Sequence, residues 1–185
     1  MAGSSNTPPA MVPNRAIFLG EDLKRNVKFL GLENFLFMPP HFFSPEVNKV
    51  TMQMNRFLCL LVTRPEIPED VKWRFVDECF GFFWTDKGNR NSDNEFVPKN
   101  NLLEIICDRV GANVVRDLIN QVANEGKSML ADNTRAALEL HAFGSPTFQF
   151  PNDEIFFGSD RFEQMAFLFG LEWRGPRGPN NVSKL

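Results

Sequence analysis

Two short segments near the C-terminal end carry the groups with the clearest chemical use. The first is Gly144-Ser145-Pro146-Thr147. A proline just ahead of an edge strand can hold a cis bond, which turns the backbone N–H and C=O of the preceding residue, Ser145, toward a ligand. The second is Gly158-Ser159-Asp160-Arg161, at the opening of a last helix. Free N–H groups and the positive end of a helix dipole would stand there beside a hydroxyl and a carboxylate. One end of an α-amino acid, with its carboxylate and its ammonium, fits that set. On spacing alone the same residues also make an ordinary β-turn and an ordinary helix cap.

Other reactive residue types are sparse. Cys59, Cys79 and Cys107 lie far apart and form no C-x-x-C pair. An odd count without a framework fits a reducing compartment, with each thiol a small core hydrophobe. His41 and His141 are separated by most of the chain and have no cysteine or carboxylate at ligand spacing, so no metal site is expected. A glycine-rich phosphate loop after a strand is missing, as is the G-x-S-x-G elbow of a serine hydrolase.

The elements that must position these groups are mostly helical. Pro8, Pro9 and Pro13 mark an extended start, Met1 to Asn14. Ala16, Leu19, Leu23, Val27 and Leu30 keep helical spacing up to Gly31, a C′ residue. Phe35 to Phe43, broken by Pro39 and Pro40, reads as a packed aromatic loop. Further helices are expected from Glu46 to Val62 and from Pro68 to Trp84. The second of these has an apolar face of Val71, Phe75, Val76, Cys79, Phe80 and Phe83. Asp86 to Val97 reads as a polar loop. Helices should then run from Leu102 to Val110, from an Asn113 cap to Gly126, and from a Ser128 cap to Ala142. The character changes at Phe143: a hairpin turns at Asn152-Asp153 and returns through Glu154-Ile-Phe-Phe. A final helix follows, with Ser159 or Asp160 as N-cap and Phe162, Met165, Ala166 and Phe169 on its apolar side.

Composition narrows the classes. The 185 residues are 43% hydrophobic and 23% charged, which is ordinary for a folded domain and excludes wholesale disorder. A net charge of −3 gives no basic stripe for nucleic acid. Twenty Phe with no Tyr suit buried packing, an apolar pocket or a subunit interface. Apolar runs are too short to span a membrane, and Met1 to Pro9 has neither the basic residues nor the hydrophobic run of a leader. Ser183-Lys184-Leu185 at the other end is the peroxisomal address tripeptide, read by an import receptor. The Gly- and Pro-rich run before it would leave that tail accessible.

The pattern Phe143-Gly-Ser-Pro-Thr, followed by Phe156-Phe-Gly-Ser-Asp-Arg and the helix to Pro176, resembles the kappa-class glutathione transferases. Bacterial 2-hydroxychromene-2-carboxylate isomerases are relatives of that class. Asn6-Thr-Pro-Pro and the helix after it are similar to the segment following the second strand of those proteins. The resemblance implies an α/β thioredoxin-like fold with a large inserted all-helical domain. It divides the chain into a thioredoxin-like remnant, 1–14, an inserted helical domain, 15–142, and a thioredoxin-like hairpin, helix and tail, 143–185. It also implies glutathione as substrate and a homodimer, and a peroxisomal tripeptide also occurs in this class, in agreement with the tail; a mitochondrial pool is compatible with the sequence. Asn6 would meet the peptide, and the backbone of Ser145, ahead of cis Pro146, would pair with its cysteinyl part. Ser159 and Asp160 would hold the γ-glutamyl end. Arg15 and Asp22 match charged family positions, and Phe35 to Phe43 could wall the second-substrate pocket.

The family's first strand, first helix and second strand, including the helix-start serine that stabilises the glutathione thiolate, have no counterpart in this sequence. Ser4 and Ser5 fall in the following loop, so no catalytic residue is assigned. A thiol with an ordinary pKa near 8.5 is mostly protonated at neutral pH, so that stabilisation is what makes the nucleophile. Three readings follow: a transferase conjugating glutathione to electrophiles or reducing peroxides, a non-catalytic glutathione-binding or dimer-forming relative, and a glutathione-dependent isomerase. The expected hairpin would have an open, Phe-rich edge.

Overall fold

Proline opens the first two long helices, and glycine closes the first of them and one later helix. In a computed structural model the described residues are 6–32, 38, 40–99, 101–111 and 113–176. Helix α1 is Pro13–Leu30, with Pro at a position whose N–H needs no partner. It ends at Gly31, whose φ of 69° lets its amide and that of Leu32 bond back to Lys28 and Val27. Helix α2 is Pro45–Val62, and the Ser44 hydroxyl accepts the amide of Val47 at 3.3 Å. Helix α3 is Glu69–Trp84, with Glu69 and Asp70 favourably placed at its positive end. Helix α4 is Leu102–Val110, closed by Gly111 at φ 74°.

The next stretch departs from expectation. The helix expected from Asn113 to Gly126 is a four-residue turn, α5 (Asn113–Arg116), followed by a 3-10 turn at Ile119–Gln121. Helix α6 spans Glu125–Glu139, so Ser128 lies inside it and caps nothing. Gly126 begins this helix rather than ending one. A Cβ there would stand 2.8 Å from the backbone oxygen of Arg56, so the glycine serves a close approach of α6 to α2. Helix α6 stops at His141, in the left-handed region at φ 59°, with His141 N–H bonding Leu138 and Ala142 N–H bonding Ala137. That double bond is a Schellman end in which histidine takes the usual place of glycine.

The described chain forms two compact units, residues 1–33 with 135–185, and residues 34–134. These limits differ from the division at 14 and 142: α1 belongs with the hairpin, and α6 runs through the second limit. In the helical unit, α2, α3 and α4 enclose the apolar core. Phe57 and Phe75 are fully buried and stacked at 4.6 Å between ring centres. On α3, Phe80 is 64% exposed whereas Phe82 is buried, contrary to the expected face. The loop after α3 explains the exchange. Arg90 bridges Phe96, and the buried Phe96 ring meets Phe82 edge-on at 5.3 Å. A segment that reads as polar thus supplies a core lid, pinned by the fully buried Asn89, which donates to the carbonyl of Phe82 at 3.2 Å. Phe42 packs on Phe83 and Trp84, so this part of the aromatic loop is core, while Phe35 to Phe37 and Pro39 lie outside the described residues.

In the other unit, β1 (Thr147–Gln149) and β2 (Ile155–Phe157) form the antiparallel hairpin, with Thr147 opposite Phe157. Helix α7 is Phe162–Leu168 and buries Met165 and Ala166. Phe162 meets Phe148, and Phe169 meets Phe150, as ring pairs. No residue of α1 is buried, and Phe167 is 88% exposed.

Candidate functional site

The hairpin ladder brings the two reactive segments together. Because Thr147 opposes Phe157, the residue before β1 and the residue after β2 are neighbours. The Gly158 amide donates to the carbonyl of Pro146 at 3.0 Å. The Ser145–Pro146 peptide bond is cis. The Thr147 hydroxyl donates to the Gly144 carbonyl at 2.7 Å and closes the turn on its other side. Gly144 lies under the Phe157 ring, where a Cβ would come within 2.6 Å of ring carbon, so only glycine fits.

Asn6 completes the cluster from the other end of the chain. Its side-chain amide donates to the carbonyl of Phe143, two residues ahead of Ser145. A Phe143–Phe157 ring contact at 4.5 Å backs that link. Asn6, Ser145, Pro146, Ser159 and Asp160 therefore belong to one unit, joined through Phe143 and Gly158. Ser145, Pro146, Ser159 and Asp160 are all solvent-exposed, so their polar groups are open to a ligand.

One expectation about this cluster fails. The N-cap of α7 is Arg161, and neither Ser159 nor Asp160 makes a capping hydrogen bond. Gly158 takes φ 104°, and this left-handed step carries the chain into a turn at 159–160 before the helix starts. Asp160 folds back over Gly158 and pairs with Arg161 at 3.8 Å. The Ser159 hydroxyl and the Asp160 carboxylate are thus not spent on the helix end. A spacing rule for caps could not have located this extra turn.

Arg15 and Asp22 lie on α1. Asp22 accepts from Asn26 at 3.0 Å and faces Arg25 at 4.0 Å, contacts confined to its own helix. Ser4, Ser5, Ser183, Lys184 and Leu185 lie outside the described residues. Two of the thiols are poor nucleophiles, because burial pushes Cys79 up to about 12 and Cys107 up to about 11; Cys59 is a buried side chain of α2. Among the described residues no group of His, Cys, Asp and Glu could hold a metal, and no helix is long and apolar enough to cross a membrane.

A strand hairpin and terminal helix in one unit, a helical unit in the other, and a cis proline ahead of the first strand define a class. The model of the DSBA-like thioredoxin domain matches residues 1–169, and the chain belongs to that family. Within it the chain is related to the kappa-class glutathione transferases. It is 30% identical to glutathione S-transferase kappa 1 of Rattus norvegicus, over all of this chain and 79% of the relative. The corresponding protein of Homo sapiens is 28% identical over 97% of this chain and 76% of its own length. That of Caenorhabditis elegans is 27% identical over 91% and 71%. Among solved structures, a 2-hydroxychromene-2-carboxylate isomerase superposes with a TM-score of 0.64 at 19% identity, covering 91% of this chain and 72% of that one. The α/β thioredoxin-like fold with a helical insertion is therefore the fold of this chain.

Proposed function

We propose that the chain binds glutathione at the cluster of Asn6, Ser145, Pro146, Ser159 and Asp160. It acts as a glutathione transferase, conjugating the peptide to electrophiles or using it to reduce peroxides. The observation that carries this is the Gly158–Pro146 bond, which links the Ser145–Pro146 segment to the one bearing the exposed Ser159 hydroxyl and the Asp160 carboxylate, the latter paired among the described residues only with its neighbour Arg161. An extended peptide would pair its cysteinyl N–H and C=O with the Ser145 backbone. Its γ-glutamyl carboxylate would take the Ser159 hydroxyl and nearby N–H groups, and its ammonium the Asp160 carboxylate. The names of the relatives support the peptide's identity. The raised thiols of Cys79 and Cys107 support a nucleophile that comes with the ligand. Exposed Phe167 and Leu171 support a surface covered by a second subunit, and Ser183-Lys184-Leu185 supports delivery to the peroxisome by an import receptor. A mitochondrial pool belongs to the same reading.

A second reading is a glutathione-binding or dimer-forming module without catalysis. It is favoured by the lack of a thiolate-stabilising group among the described residues of the cluster. Glutathione-dependent isomerisation is a third, suggested by the likeness in fold to a 2-hydroxychromene-2-carboxylate isomerase.

The test is a thermal melt with and without glutathione, followed by turnover of an aryl halide. A ligand at a hundred times its Kd adds about 2.7 kcal/mol, a rise of several degrees. An upward shift lost in Asp160→Asn, together with conjugate formation, supports the transferase. A shift without conjugate supports the non-catalytic module. No shift overturns the site.

A further inference from the structure

The helical unit holds six arginines, and five of them are engaged. Arg64 donates to Gln121 and Glu125, Arg74 to the Val110 carbonyl, Arg90 to the Phe83 carbonyl, and Arg109 to Asp86, while Arg116 pairs with Asp108. Arg56 is different. Although partly buried, it makes no hydrogen bond or ion pair among the described residues; its Nε is a buried donor without an acceptor, as is that of Arg90, whose guanidinium is otherwise held by backbone carbonyls. A buried Nε–H without an acceptor, on a half-buried guanidinium with no counter-charge, leaves a polar group that a ligand could satisfy.

What surrounds Arg56 indicates what that is. Gly126 sits on the Arg56 backbone, so the first turn of α6 crosses α2 at this point and brings Lys127 alongside. Arg56 and Lys127 both line a cleft of about 550 Å³ between the two helices. Lys127 is exposed and unpaired among the described residues, and the cleft contains no carboxylate. Its remaining wall includes Met52, Leu130 and Ala131, with the Asn55 amide beside them. The cleft on the other side of Arg56, about 190 Å³, is lined by Glu104 and so disfavours an anion.

From two unpaired cations, an amide and an apolar wall, we infer that the α2–α6 cleft binds an aliphatic carboxylate. The carboxylate lies against Arg56 and Lys127, and its hydrocarbon chain along Met52, Leu130 and Ala131. A planar carboxylate matches the guanidinium fork, and the size lies within the range of small-molecule sites. This site lies wholly within the helical unit and does not depend on the glutathione reading.

The probe is octanoate, titrated into the full chain while the Arg Nε–H cross-peaks are followed by NMR, with Arg56→Lys identifying the Arg56 peak. The expected result is a saturable shift of that peak. Lys127→Gln, on an exposed side chain that the fold does not need, should weaken it about fivefold. Saturating glutathione should leave the curve in place. Octanol, with the chain and no charge, and acetate, with the charge and no chain, should each fail to reproduce it. The inference is overturned by an unmoved Arg56 peak at millimolar octanoate, by equal affinity in Lys127→Gln, by an equal response to octanol or acetate, or by displacement with glutathione.

Discussion

The amide of Gly158 reaches the carbonyl of Pro146 at 3.0 Å, one step beyond the last ladder pair of the hairpin. This bond is the hinge of the candidate site, because it sets the distance between the segment before β1 and the turn before α7. Neither strand carries a residue of the candidate site. Their role is to hold two loops in register.

Gly158→Ala tests that hinge. Its φ of 104° disfavours any side chain, and the added Cβ would stand 2.5 Å from an Asp160 carboxylate oxygen. The expected cost is about 1–3 kcal/mol. The glutathione-dependent rise in melting temperature should fall by a larger proportion than the ligand-free melt. Equal loss in both would make the residue structural alone.

Gly126→Ala probes the crossing of α6 over α2. In an exposed helix interior this change stabilises by up to about 1 kcal/mol. Here the new methyl meets the Arg56 backbone at 2.8 Å, so the sign should reverse and cost about 1–3 kcal/mol. Urea unfolding decides it, and a stabilised variant would show that the helices do not approach so closely.

Phe75→Ala should be the most damaging of these changes. The ring is fully buried and stacked on Phe57, so removal should cost about 3–5 kcal/mol in the same urea assay.

Acid should weaken the α3–α4 contact through Asp86. Its carboxyl is held below the ordinary carboxylate range first by the hydrogen bond from Arg109 at 2.7 Å, and also by the Gly88 amide. A depressed folded pKa adds stability above the unfolded value, near 3.9, and loses it as pH falls through the folded value. Both side chains are partly exposed, so Asp86→Asn should cost about 0.5–1 kcal/mol at pH 7. That difference should close as pH falls below about 4. A constant difference from pH 7 to 3 would contradict the assignment.

Thiol reactivity should be slow in the folded chain. With Cys79 raised to about 12 and Cys107 to about 11, iodoacetamide at pH 8 should label both far more slowly than after unfolding. Stability should also decline as pH rises from the ordinary thiol value toward those raised ones, because unfolding releases the proton. Rapid labelling of either residue in the native state, read by peptide mass, would place it outside the core.

What the sequence determined by itself is local. Gly31 and Gly111 end helices because a left-handed residue is needed at that point whatever surrounds it, and Ser44 caps because its hydroxyl reaches an amide three residues on. The hairpin and the Ser145–Pro146 turn were legible for the same reason, and their combination with Ser159-Asp160-Arg161 carried the family resemblance. Tertiary structure decided the rest. Gly126 reads locally as a helix stop, but its role is set by a backbone oxygen seventy residues earlier. The 86–97 loop reads as solvated until Phe96 and Asn89 are placed in the core that Phe82 faces. The α7 cap shifts from Ser159 or Asp160 to Arg161 because a bond to Pro146 fixes where Gly158 must turn. Periodicity and capping rules record short-range sterics and hydrogen bonds. Contacts between residues far apart in the chain arise only when the elements pack, and these brought Asn6, Ser145 and Asp160 into one cluster and left Arg56 without a partner among the described residues.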